Sequence, residues 1–163
     1  MLYGGNYDFY HCTFANYWNN GNRSDPAVSM NNYFDANVRR LDAGFYNCIV
    51  HGNLETELGV DSYPRANPGQ FNFFFDHALL KLESTYSTSN TGYYRSIIRS
   101  TSFTNSPQFM NINENDYRPD SNSVVIDAGD ASFLNADPVL GADIKGQVRP
   151  QGVNPDLGAY ERR

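Results

Sequence analysis

A six-residue kernel that returns along the first half of the chain most constrains its fold. Phe9-Tyr10-His11-Cys12-Thr13-Phe14 recurs as Phe45-Tyr46-Asn47-Cys48-Ile49-Val50 and, more loosely, as Phe74-Phe75-Asp76-His77-Ala78-Leu79. Intervals of about 30–40 residues between such units are the mark of a stacked architecture rather than of unrelated strands. Apolar residues fall at kernel positions one, four and six, which fits neither a two-residue alternation nor a helical stripe. A corner reconciles them: position one faces inward on one strand, positions four and six face inward on the next, and position three turns. His11, Asn47 and Asp76 stand there, residue types that accept a left-handed backbone or bond their own main chain.

Gly, Asn, Ser and Pro interrupt every window long enough for a helix, so the chain reads as all-β. FYHCTFAN and FYNCIVHGN resemble the repeat of right-handed parallel β-helix proteins, the group that includes pectate lyases and many bacterial surface proteins. The resemblance implies a right-handed parallel β-helix of three to four coils over residues 1–115. Because MLYGGNYDF already reads as part of a repeat, further coils are expected upstream, and an uncovered first coil is expected to self-associate through its open edge. Between the kernels, VSMNNYF within residues 16–35 and residues 93–98 are expected as further strands. Residues 51–70, with Pro64 and Pro68, are expected to contain an exposed loop.

The last third holds three spaced pieces: SVVIDAG at 123–129, DIKGQVR at 143–149 and PDLGAYE at 155–161. Together with Pro107, Phe109, Asp116 and Tyr117 they resemble the C-terminal module of bacterial surface proteins of the choice-of-anchor Q type. The resemblance carries over to Asp127, Gly129, Asp143, Gly146, Arg149, Asp156, Gly158, Tyr160 and Glu161, expected as a structural set that closes the last coil over residues 116–163. In this reading SVVIDAG supplies a final strand, PDLGAYE returns over it, and Arg149 is the internal partner of the acids. The functional alternative is a calcium site on Asp127, Asp143 and Asp156, since hard cations take several carboxylate oxygens. The structural reading takes precedence, and no cofactor is expected.

The formal net charge of −6 and the pI near 4.9 argue against a nucleic-acid partner, which needs clustered Lys and Arg. No apolar run is long enough to span a bilayer as a helix. Cys12 and Cys48 share a kernel position, so adjacent coils would place them about 4.8 Å apart; they are expected as stacked free thiols rather than a disulfide.

Chemistry-bearing residues converge at only one place, Asp76, His77, Lys81 and Glu83, the weak catalytic candidates. A proton-abstracting lyase would need a surface Lys or Arg among carboxylates, and Lys81 sits inside an apolar kernel instead. Tyr17, Trp18 and Tyr63 lie outside the kernels and are candidates for stacking on sugar rings. The expected function is a secreted or cell-surface scaffold that binds glycans or neighbouring surface molecules. The contrasting expectation is the C-terminal part of a polysaccharide lyase or glycoside hydrolase whose active residues lie mainly upstream.

Overall fold

In the computed structural model, which describes residues 1–63 and 69–162, the chain is built of strands and short 3-10 turns, and the described residues contain no α-helix. The first group of strands is parallel. β1 (Leu2–Tyr3), β4 (Val28–Asn31) and β9 (Leu58–Asp61) form one sheet. β2 (Gly5–Tyr10), β3 (Thr13–Asn16), β7 (Leu41–Tyr46), β8 (Ile49–Gly52) and β10 (Phe71–Lys81) form a second, in the order β2-β7-β10-β8-β3, which bends as a half-barrel. β11 (Tyr94–Ser100) is its sixth strand, parallel to β10. Two antiparallel pairs complete the set, β5 (Tyr33–Phe34) with β6 (Asn37–Val38) and β12 (Phe109–Asn111) with β13 (Asp116–Pro119).

This mixed parallel and antiparallel arrangement corrects the expected right-handed parallel β-helix. Separate sheets on either side of each corner would be needed for that fold. Here β10 runs unbroken and pairs with β7 along its first half and with β8 along its second, joining both halves into one sheet. β10 stays continuous because β11 pairs along it on both sides of the corner, from Phe75↔Tyr94 to Lys81↔Ser100. After Ser100 no kernel follows; the chain continues as a hairpin and 3-10 turns at Ile112–Glu114, Ala131–Asn135 and Pro138–Gly141.

The corners themselves are present, with one shift of register. His11 and Asn47 have φ of 51° and 54°, but the third left-handed residue is His77 at 50°, not Asp76. Phe75, not Phe74, stands opposite Phe45 and Phe9. Ala78 therefore continues the column of Cys12 and Cys48, which are both free thiols, and burial raises the Cys48 thiol above its ordinary value.

Phe9, Phe45 and Phe75 stack at 4.9 and 4.3 Å between centroids. Around this column Met30, Leu41, Val50, Leu58, Leu80 and Leu82 close the main core. Successive strand residues point to opposite faces, so Ile49 and Leu79 leave that core and meet Val125 and Leu157 on the other side. Both faces of β8 and of the second half of β10 are thus buried, which their unbroken apolar runs require.

SVVIDAG is a series of turns, not a strand, and PDLGAYE is irregular. Nor does this segment cover the end of the stack; it lies against the corners. Phe133 meets Tyr46 and Tyr10 at 5.1 and 6.4 Å, Asp130 N–H donates to Asn47 Oδ1 at 2.9 Å, and Ala159 N–H donates to Thr13 Oγ1 at 3.0 Å. Gly158 is required there: its φ is +86°, and a Cβ would lie 2.5 Å from Thr13 Oγ1. The strands expected around VSMNNYF and residues 93–98 fall at β4, β5 and β11. The span expected to contain a loop also holds the end of β8 and all of β9, and Pro64 and Pro68 lie outside the described residues.

Candidate functional site

An open groove of about 430 Å³ lies between the segment after β3 and the turn joining β12 to β13. Its walls are the aromatic rings of Tyr17, Trp18 and Tyr117, the amides of Asn16, Asn19, Asn20, Asn113 and Asn115, and the aliphatic Ala15 and Ile112. Among the described residues no charged side chain lines it. Trp18 is 57% exposed, and Ile112 is also at the surface. An amphipathic ring beside many amides is the chemistry that holds an uncharged polyol: C–H faces stack on the ring, and hydroxyls bond to amide oxygen and nitrogen.

The floor is built by ring packing. Tyr17 stacks on Tyr117 at 6.0 Å and 17°, and meets Phe109 edge-on at 6.1 Å; Phe109 closes the triangle with Tyr117 at 5.4 Å. Tyr17 is fixed from below, its hydroxyl 2.7 Å from His51 Nδ1, whose Nε2 is 3.1 Å from Ser100 Oγ. A consistent set of donors runs one way: Tyr17 O–H to Nδ1, Nε2–H to Ser100, and Ser100 O–H to the Thr104 carbonyl at 3.3 Å. His51 is buried, and burial with the nearby Lys81 ammonium lowers its pKa to about 3. Burial, then Tyr117 and Glu57, hold the Tyr17 phenol above its ordinary value. The imidazole is neutral and structural across the physiological range.

The rim is tied down by a buried ion pair. Glu57 accepts from Arg23 Nη1 and Nη2 at 2.8 and 2.5 Å, and from the N–H groups of Ala27 and Leu54 at 2.8 and 2.7 Å. Arg23 Nη2 also donates to the Asn16 carbonyl at 2.9 Å. The loop that carries Trp18, Asn19 and Asn20 is thereby anchored at both ends.

The catalytic candidates divide between two places. Asp76, fully buried, accepts from His77 Nδ1 at 2.9 Å and from Arg95 on the neighbouring strand. Lys81 lies elsewhere, 8% exposed, with Nζ donating to the Gly52 carbonyl at 2.7 Å, and burial lowers its pKa. Glu83 is exposed, its N–H bonded to Thr56 Oγ1 and its carbonyl to Arg99. An ammonium enclosed by the core cannot take a proton from a surface substrate.

In the last third of the chain the acids are occupied by main-chain donors. Asp143 Oδ1 accepts from Lys145 and Gln147 N–H at 2.7 and 2.8 Å and Oδ2 from Glu161 N–H at 2.9 Å; burial opposes these bonds, yet together with Arg149 they hold Asp143 below its usual value. Asp156 accepts from Asp127 and Arg162 N–H, Asp127 from Asn154 N–H, and Glu161 from Gln151 and Asp156 N–H. Arg149 Nη1 lies 3.4 Å from Glu161 Oε2 and 2.9 Å from His11 Nδ1, and Nη2 donates to the Gly158 carbonyl at 3.0 Å. Burial raises Asp156 and Glu161 and lowers Arg149; burial and then Arg149 lower His11 to about 4. Gly146 closes a turn through its N–H bond to the Asp143 carbonyl, Gly129 N–H ties its segment to the Pro155 carbonyl, and Tyr160 is partly buried beside Glu161. Among the described residues no group of three or more His, Cys, Asp or Glu is placed to hold a metal.

Of the three sugar-stacking candidates, Tyr17 and Trp18 share the groove. Tyr63 does not; it packs on Tyr33 at 5.5 Å with its N–H on Asn32 Oδ1. Reasoning from sequence missed Tyr117, Asn113 and Asn115, which come from a hairpin about a hundred residues further on. The signal was there in the Asn-rich NINEND before Tyr117, a turn-forming stretch with an aromatic at its end.

Compared with models of protein families, with curated proteins and with solved structures, the chain matches none. The motif resemblance of its last third therefore stands on those residues alone. Among the described residues no helix is long and apolar enough to cross a membrane.

Proposed function

We propose that the protein is a saccharide-binding protein acting outside the cell or at its surface, with the groove around Trp18 as its site for a neutral oligosaccharide. The observation that carries this reading is the composition of the groove: among the described residues three aromatic side chains, five amides and no charge, on a floor rigidified by Tyr17, Phe109 and Tyr117. Rigid aromatics cost little conformational entropy on binding, and amides read hydroxyls without the desolvation cost of an ion. Probing the full chain on immobilised neutral and acidic glycans tests this, with Trp18→Ala alongside. Signal on neutral glycans that falls at least tenfold in the variant supports the reading; no neutral glycan retained, or equal retention by both proteins, sinks it.

β1, β2 and β3 are terminal strands of their sheets, and each leaves a row of backbone groups at one end of the molecule, which supports self-association by edge pairing. Light scattering that stays monomeric across a hundredfold concentration range would remove this part.

A further inference from the structure

The β12–β13 hairpin has two faces, and only one belongs to the neutral groove. Side chains alternate along a strand, so Phe109 and Tyr117 turn toward Tyr17, whereas Met110 and Arg118 turn away. On that second side lies a cavity of about 530 Å³, lined by Met110, Arg118, Pro119, Lys145, Gln147 and Arg162 with Glu161 at its base. Its size is in the range of small-ligand sites.

Cations outnumber carboxylates in the lining on this side despite the acidic chain, Arg118, Lys145 and Arg162 against Glu161. Arg118 is neutralised by Asp116, with Nε and Nη2 at 2.8 and 2.5 Å from its carboxylate. Arg162 is steered by Nη1 onto the Pro119 carbonyl at 2.9 Å, and its charge acts through space on Asp120, which does not line the cavity. Lys145 is exposed, and its ammonium acts through space on Asp116, which does not line the cavity. The one carboxylate at the base is turned inward: Glu161 Oε1 accepts from Gln151 N–H at 2.8 Å, and Oε2 from Asp156 N–H at 3.1 Å. Among the described residues that line it, Lys145 and Arg162 thus face a cavity whose one lining carboxylate is engaged by main-chain donors, beside the side chain of Met110.

We propose that this cavity is a second saccharide site, selective for a sugar that carries a carboxylate, with Arg162 and Lys145 taking the carboxylate and Met110 the ring. Taking the ligand as a saccharide rests on the reading of the neutral groove; the charge selectivity does not. A planar guanidinium fork with a nearby ammonium matches a carboxylate well.

Calorimetry on the full chain tests it with a tetrasaccharide of alternating glucuronate and N-acetylglucosamine, its methyl-esterified form, inorganic phosphate and sulfate. The acid form is expected to bind, the ester to bind at least tenfold more weakly, and affinity to fall as NaCl rises from about 50 to 300 mM. Lys145→Gln with Arg162→Gln is expected to weaken the acid form about tenfold; Lys145→Gln alone, at an exposed position, keeps the test valid should the double variant not fold. Equal binding of acid and ester, an unchanged affinity in the variants, or competition by phosphate or sulfate at the same concentration overturns the proposal. Binding of the acid form without any neutral oligosaccharide would sink the neutral-groove reading and leave this one standing; the reverse result would do the opposite.

Discussion

Replacing Glu57 by glutamine keeps the volume of the side chain and removes the charge that anchors the Trp18 loop. The carboxylate has no exposed surface and accepts four N–H groups, two from Arg23 and one each from Ala27 and Leu54. A glutamine offers one oxygen with two lone pairs, and its own NH₂ then faces donors, so at least two of the four lose their acceptor. Each buried donor left unpaired costs about 1–3 kcal/mol, and breaking one side of a buried ion pair costs about 3–5 kcal/mol. Arg23, whose side chain is 10% exposed, can turn partly to water, so the lower part of that range applies, about 3–4 kcal/mol. For a chain of this size that corresponds to a fall in Tm of roughly 6–16 °C. Urea denaturation followed by circular dichroism gives the free energy directly. Trp18 is the sole tryptophan, so its emission in the folded variant reports separately whether the loop has come loose. A loss below about 1 kcal/mol with wild-type Trp18 emission would refute the anchoring role of this pair.

Stability is expected to fall on mild acidification. Burial holds the His11 and His51 imidazoles at about 4 and 3, below the ordinary value of 6.5. A depressed histidine favours the folded state above its unfolded pKa, and that contribution is lost as pH falls below about 6.5 because the unfolded chain takes the proton first. At pH 5 each should have cost about 2 kcal/mol relative to pH 8, partly offset by Asp156 and Glu161, whose raised values favour the protonated folded form. Urea midpoints that stay flat between pH 8 and 5 would contradict both assignments. Phe45→Ala, which empties the centre of the Phe9–Phe45–Phe75 stack, should destabilise by about 3–5 kcal/mol; a loss under 1 kcal/mol would mean that the column is not the core. Gly52→Ala would place a Cβ 2.2 Å from the Asn16 carbonyl and 2.3 Å from Glu57 Oε1, so a sharply lower Tm or loss of soluble protein is expected, and a wild-type melting curve would show the packing there to be looser than described.

Local backbone geometry was the most legible part of the sequence. His11 and Asn47 were read as corners because their side chains tolerate a left-handed backbone, and both adopt it. The third corner was misplaced by one residue, since Phe73-Phe74-Phe75 offers three equal starting points and a slip of one residue exchanges the faces. How the corners assemble was not legible. A corner motif fixes the turn of one strand, whereas the joining of both halves into a single sheet depends on β11 pairing along the whole second part of β10. SVVIDAG reads as a strand by its apolar run, yet it folds as turns because Val125 is drawn onto Ile49 and Leu79 while Asp127 takes a left-handed conformation. Tyr17 and Trp18 were found as aromatics outside the kernels; Tyr117 and its asparagines were not, because only the packing of Phe109 on Tyr17 brings that hairpin across.

Fluorescence of Trp18 during titration with a neutral oligosaccharide tests the central claim most directly, because the only indole stands at the rim of the proposed site. Binding in the groove removes water from an exposed ring, so a saturable blue shift in emission is expected, and it should be weakened at least tenfold by Tyr117→Ala. An emission spectrum that does not move while calorimetry on the same sample registers binding would place the saccharide elsewhere on the protein and contradict the assignment of this groove.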